Sequence, residues 1–279
     1  MQYQWYPGHM SKAKREMTES LKLIDAVIEL VDARIPLSSK NPDIEKMSNG
    51  KARIMLLNKS DMADPKITEQ WEKYFASKGY YVVKVNTKNN KSNGKIKETV
   101  LTACAAKIER DRKKGIKNRP VRAMICGIPN VGKSTFINTF VGKAVTLTGN
   151  KPGVTKGKQW IRIDNMIELL DTPGILWPKF DDVETGKKLA FIGSINDNIL
   201  INSEMCYDLM KYLNALYPDV LAKAYEIELS GDVYEDLKRI AIKRGCLLKG
   251  AEPDIERAAG IVINEFRAVK LGRLSLEKP

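Results

Sequence analysis

Three short segments of this 279-residue chain carry side chains whose types and spacing can do chemistry. The first is GIPNVGKS, residues 127–134, which fits G-x-x-x-x-G-K-S. An apolar run precedes it and a helix-forming run follows, so it reads as a strand-to-helix turn. Its glycines let backbone amides curl around phosphate oxygens, and the helix N-terminus adds partial positive charge. Lys133 is then placed to neutralise β- and γ-phosphates, and Ser134 to ligate Mg²⁺. On this reading Asn130, Val131, Gly132, Lys133, Ser134 and Thr135 touch nucleotide; a plain glycine-rich turn is the alternative.

The second segment is DTPG (171–174), directly after the apolar run MIELL. Asp171 at a strand end can hold the Mg²⁺ water shell, and the Gly174 amide can sense a γ-phosphate. Between the two motifs, Thr155 in KPGVTKGKQW is a candidate third magnesium ligand, or else a turn threonine. The third segment is NKSD (58–61), which reads guanine. The Asn58 amide can bond the O6/N7 edge, and the Lys59 stem can lie along the base. The Asp61 carboxylate accepts from the ring N–H and the exocyclic amino group. Adenine offers neither donor in that arrangement, so a buried carboxylate would be left unpaired, a cost large enough to discriminate. Asn86 and Thr87, after the next strand, are candidates for a further contact to the base.

These segments need a sheet to bring them together. AVIELVD (26–32), RIMLLNK (53–59), YYVVKVN (80–86) and VRAMICG (121–127) read as buried strands, with further strands at 159–163 and 166–170. Helices over 66–78, 94–112 and 133–142 complete a βαβ rhythm, which implies a parallel sheet. Residues 10–24 have helical apolar spacing, and the basic stretch 107–122 reads as a linker. Past residue 185 the strand signals stop and helical patterns take over near 185–195, 203–215, 232–244 and 253–270. The expected division is an α/β domain over 1–178 and an all-α domain over 179–279.

Charge separates the same two parts. Residues 1–178 hold 32 Lys and Arg against 17 Asp and Glu, whereas residues 179–279 hold 15 against 17. The chain's net charge of +13 therefore lies in the first part, and suits either a polyanion such as RNA or a merely well-solvated surface. Four scattered cysteines without a C-x-x-C pair fit reduced thiols in a cytoplasmic protein. No apolar run approaches a membrane span, and no apolar signal core opens the chain. Lone aromatics such as Trp5, Tyr6, Trp160 and Trp177 read as packing residues. Asp32 and Arg34 read as a brace at a strand end.

The motif order is unusual, because the base reader precedes the phosphate loop by about seventy residues. In that order, and with VDARIP (31–36) and the leading WYPGHM, the chain resembles the circularly permuted ribosome-assembly GTPases over its whole length. A circular permutation is feasible where the original termini lie close. The resemblance implies a circularly permuted P-loop fold with a parallel sheet flanked by helices. It implies GTP hydrolysis to GDP with Mg²⁺, stimulated by the large ribosomal subunit and coupled to late maturation of that subunit. It also implies a helical C-terminal domain that binds rRNA. Lys238, Arg239, Lys243 and Arg244 are the candidate RNA contacts, because that domain is otherwise acidic. A monomer without membrane contact is expected. A GTP-dependent RNA-binding scaffold, or a GTPase acting on another structured RNA, are the alternatives.

Hydrolysis poses a separate problem. Many GTPases place a water-orienting glutamine after D-x-x-G. Here Ile175, Leu176 and Trp177 follow, and none can orient water. His9, the only histidine, sits in PGHM and can exchange protons near neutral pH. The resemblance implies that it is catalytic; an inert terminal histidine is the competing reading. Asn130, in a G-x-P-N-x-G-K loop, is a candidate ligand for K⁺, whose charge would serve where an arginine finger might.

Overall fold

The computed structural model describes residues 15–48, 50–116, 119–146, 159–177, 182–195 and 202–279. Among the described residues six strands form one sheet: β1 (Ala26–Asp32), β2 (Ala52–Asn58), β3 (Tyr81–Lys84), β4 (Val121–Gly127), β5 (Gln159–Arg162) and β6 (Ile167–Asp171). Their order is β3-β2-β1-β4-β6-β5. All neighbours are parallel except β5, which runs antiparallel to β6 at the edge. The chain fills the sheet outward from β1 to β3, then crosses to the other side of β1 to begin β4. That reversal leaves a crevice at the carboxyl ends of β1 and β4, where open α/β sheets bind ligands.

Every residue of β1 is buried, as a central parallel strand covered on both faces must be. Its side chains alternate between layers. Ile28 and Leu30 join one core cluster, Val27 packs with Met17, Leu21, Met124 and Leu170, and Val31 packs with Leu57, Trp71 and Phe75. Helix α1 (Pro42–Met47) precedes β2, and α2 (Pro65–Ser77) starts where the Asp64 carboxylate accepts from the Lys66 and Ile67 amides, with Pro65 in the first turn. The predicted helix over 94–112 is two helices, α3 (Asn93–Ala103) and α4 (Ala105–Lys113), broken at Cys104. The basic stretch read as a linker is therefore helical through residue 113. Helix α5 (Lys133–Val141) follows the phosphate loop.

The second part contains α6 (Val183–Phe191), α7 (Asn202–Leu216), α8 (Val220–Tyr225), α9 (Val233–Lys243) and α10 (Ile255–Arg267). Leu209, Met210 and Leu213 of α7 meet Val262, Ile263 and Phe266 of α10 in its core. One apolar cluster runs from Ile125 of the sheet through Leu176 and Trp177 to Leu189 and Leu209. Packing thus continues across the expected boundary, whose residues 178–181 lie outside the described ones. No described helix is long and apolar enough to cross a membrane.

Candidate functional site

Register places the three motifs side by side. Asp32 stands opposite Asn58, Leu30 opposite Gly127, and Ile125 opposite Asp171. The carboxyl ends of β2, β1, β4 and β6 therefore deliver NKSD, VDARIP, GIPNVGKS and DTPG to one edge.

The phosphate loop leads into α5 without a side-chain cap, which leaves first-turn amides to serve an anion. Gly132 has φ 101°, and a Cβ there would lie 2.6 Å from Asn58 Nδ2, so the base reader and the loop meet only because this residue is glycine. Lys133 is buried, with Nζ 3.2 Å from the Gly127 carbonyl and 3.4 Å from that of Ile128. Burial pulls its pKa down to about 8, against the opposing pull of Asp171. Its ammonium thus rests on loop carbonyls and can turn to a phosphate without crossing solvent.

Asp171 is 1% exposed, and neither carboxylate oxygen receives a well-formed hydrogen bond. Burial pushes its pKa up to about 6, with Lys133 and the Thr172 amide only partly offsetting this. A buried carboxylate left in this condition is expected to have a partner that arrives with the ligand. No cluster of three or more His, Cys, Asp or Glu side chains among the described residues could cage a metal alone. The arrangement fits Mg²⁺, which is held by one carboxylate and a hydroxyl together with substrate phosphates and water. Asp171 and Ser134 would hold the ion, which when bound neutralises charge on the phosphates. Thr155 lies outside the described residues.

Gly174 has no room for a side chain. A Cβ there would sit 2.8 Å from Lys133 Nζ and 3.0 Å from Pro129 Cα. The Gly174→Ala substitution should push DTPG off the phosphate loop and slow single-turnover hydrolysis by about 10²-fold, with GDP affinity nearly unchanged. Single-turnover assays beside GDP titrations check this.

At the base end, Asn58 is fully buried and donates from Nδ2 to the Val131 carbonyl at 2.6 Å, while its Oδ1 has no partner. Lys59 and Asn130 are non-glycine residues with φ 57°, and Lys59 Nζ donates to the Asn130 carbonyl at 3.0 Å. Two left-handed residues tied together mark a site where strain is held by surrounding contacts. No described residue donates to the Asp61 carboxylate, which leaves it open to a base. Thr87 is buried near Gly132, and its carbonyl accepts from Thr139 of α5 at 2.8 Å. Asn86 instead uses its side-chain oxygen to accept from the Lys88 amide.

A family model described as "50S ribosome-binding GTPase" matches residues 122–217. Ribosome biogenesis GTPase A of Priestia megaterium is 46% identical over 281 residues, covering 100% of this chain and 98% of that protein. The structure of GNP-bound YlqF from T. maritima superposes with a TM-score of 0.65 at 31% identity, covering 96% of this chain and 98% of that one. Mitochondrial ribosome-associated GTPase 1 of Bos taurus is 33% identical over 297 residues, covering 98% and 88%. The chain belongs to the ribosome biogenesis GTPase A family. It is a GTPase, with GTP as substrate and GDP as product.

Several residues that organise this GTPase site leave little or no signal in the motifs. Asp32 is fully buried and pairs with Arg34 at 2.8 Å and Lys59 at 3.0 Å. Those two cations hold its carboxyl well below the usual range despite burial. The predicted brace is present, and it also orients Lys59. Asn41 donates from its side chain to the Ile175 carbonyl, and the Asn41 amide donates to the buried Glu29 carboxyl. Asn130 donates from its side-chain amide to the Gly193 carbonyl at 2.7 Å, which ties the phosphate loop to the end of α6.

Other expectations need correction or fall elsewhere. Trp177 is buried as expected, but Trp160 is 44% exposed, because it occupies the outward side of edge strand β5 beneath the Arg122 guanidinium. Lys238 pairs with Glu235, Arg239 donates to the Glu228 carbonyl, and Lys243 pairs with Glu226. Arg244 is committed to the buried Glu265 at 2.9 Å and to the Tyr225 ring. His9, Trp5 and Tyr6 lie outside the described residues.

Proposed function

We propose that this GTPase is an assembly factor that binds the large ribosomal subunit and its rRNA and promotes late maturation. GTP state is coupled to the orientation of the helical part, residues 179–279. The observation that carries this reading is the contact between Asn130 of the phosphate loop and Gly193, beside the carbonyls of Ala190 and Phe191 that Arg267 of α10 grips at 2.7 and 2.9 Å. A change at the phosphates reaches α10 through one loop. The relatives, a ribosome biogenesis GTPase and a mitochondrial ribosome-associated GTPase, support the partner class. Its place of action is the cytoplasm, and it works as a monomer.

The basic 1–178 part supplies most non-specific phosphate contact. Lys238, Arg239, Lys243 and Arg244 contribute only by exchanging their present carboxylate and carbonyl partners for rRNA. Because Ile175 is buried where a water-orienting glutamine would stand, His9 supplies that role on the subunit, with Mg²⁺ at Ser134, Thr155 and Asp171 and K⁺ near Asn130.

Turnover measured with and without purified large subunits, in KCl and in NaCl, tests the whole reading. Subunits should raise turnover, and His9→Ala should lower the stimulated rate by about 10²-fold without weakening nucleotide binding. Binding should fall steeply with salt. Turnover indifferent to subunits would leave the scaffold reading in its place.

A further inference from the structure

The loop that carries Asp61 is pinned from two sides. On one side the Ser60 amide and hydroxyl both donate to the Val85 carbonyl, at 3.1 and 3.0 Å. On the other lies a segment more than two hundred residues away in sequence. Arg273 donates from Nη2 to the Ser60 carbonyl at 2.8 Å and from Nε to the Ala63 carbonyl at 3.1 Å. One planar guanidinium thus brackets the turn in which Asp61 stands. Next to it, Ser275 Oγ accepts from the Asp64 amide at 3.1 Å. The Leu276 amide donates to the Arg34 carbonyl at 2.8 Å, beside the Asp32 brace that orients Lys59.

This segment is anchored independently of the arginine. Leu274, Ser275, Leu276 and Glu277 are all buried. The Glu277 carboxylate accepts from the amides of Leu37 and Ser38 and pairs with Lys188 of α6 at 3.2 Å, and its carbonyl accepts from Trp71 Nε1 at 3.1 Å. Arg273 itself is exposed. Its removal therefore leaves the segment docked and frees the Asp61 turn alone.

We propose that Arg273 is a positioning residue for guanine recognition. By holding the Ser60 and Ala63 carbonyls it fixes the Asp61 carboxylate where the ring N–H and the exocyclic amino group of guanine meet it. The proposal rests on the reading of Asp61 as the guanine acceptor. A guanidinium suits the task because its donors form a rigid fork that can reach two carbonyls at once, whereas an ammonium is a single point on a flexible stem.

The test compares GDP with IDP, which lacks the exocyclic amino group, in the unsubstituted chain, Arg273→Ala and Arg273→Lys. Removing Arg273 should weaken GDP binding by about 10-fold and IDP binding by about 2-fold, because only GDP uses both acceptor geometries of Asp61. The GDP-to-IDP preference should therefore shrink about 5-fold, and Arg273→Lys should restore part of it. A loosened fold would weaken both nucleotides equally. A preference retained in full by Arg273→Ala, or an equal loss for both nucleotides, would overturn the proposal alone. Equal affinity for GDP and IDP in the unsubstituted chain would overturn the reading of Asp61 and the proposal with it.

Discussion

Replacing Asp61 with asparagine should lower GTP affinity by about 10³-fold and transfer the preference to xanthosine triphosphate. The carboxylate of Asp61 stands half-buried at the end of the NKSD turn, and no described residue donates to it. Guanine brings two donors, and hydrogen bonds to a charged acceptor contribute about 1.5–3 kcal/mol each. The asparagine amide keeps one acceptor but sets a donor against the exocyclic amino group, so one pair becomes two donors facing one another. Xanthine carries a carbonyl at that position and satisfies the new donor. Substitution acts on the base alone, because the phosphate loop, Lys133 and Asp171 are untouched. Competition titrations with GTP and XTP against a fluorescent nucleotide measure it. Unchanged GTP affinity would remove Asp61 from base recognition.

The chemistry of the site was legible because each motif is local. Four residues in a row, as in NKSD, or eight, as in GIPNVGKS, carry their own geometry once a strand ends beside them. The strands were legible for a related reason: AVIELVD is apolar at five of its seven positions and reads as a buried strand. Elements too short for periodicity were not seen. Helices α1 and α8 span six residues each, less than two turns, and leave no stripe to read. The break at Cys104 and the antiparallel direction of β5 depend on neighbours rather than on local pattern.

What stayed hidden was the support behind the motifs. Arg273 meets Ser60, Glu277 meets Ser38, Asn41 meets Ile175 and Asn130 meets Gly193 across separations that no window spans. Asp32 reads as a brace from its place in VDARIP, but that it grips Lys59 depends on the register of β1 with β2. The same contacts explain how a permuted chain keeps a working site. The NKSD half of the site follows β2, and the phosphate-loop half follows β4 and β6. The polypeptide beyond α10 returns over the base-reading half, while α6 touches the phosphate-binding half. Both halves are thereby tied to one helical body.

Asp171→Asn should stabilise the nucleotide-free protein and abolish the Mg²⁺ dependence of GTP binding, two effects of opposite sign from one atom change. In the folded chain the Asp171 carboxyl titrates at about 6, above its ordinary value of 3.8, because burial outweighs the pull of Lys133. The native state therefore holds its proton more tightly than the unfolded state does. Stability falls as pH rises from about 4 to 6, and above 6 the loss is constant at about 3 kcal/mol. Asparagine carries no charge to bury, so thermal unfolding at pH 8 should shift upward, while at pH 4 the two proteins should differ little. If Asp171 holds Mg²⁺, binding would reverse the balance, since the ion would need the carboxylate that burial disfavours. Below pH 6 the unsubstituted chain must give up a proton to take the ion, so its Mg²⁺-assisted GTP affinity should weaken as pH falls from 7 to 5. In Asp171→Asn that slope should vanish, GTP affinity should no longer respond to Mg²⁺, and turnover should drop by at least about 10²-fold. Calorimetric unfolding at pH 4 and 8, beside GTP titrations with and without Mg²⁺, reads both effects. A variant that is less stable at pH 8, or that still needs Mg²⁺, would show that the unpaired oxygens of Asp171 are not the metal's place.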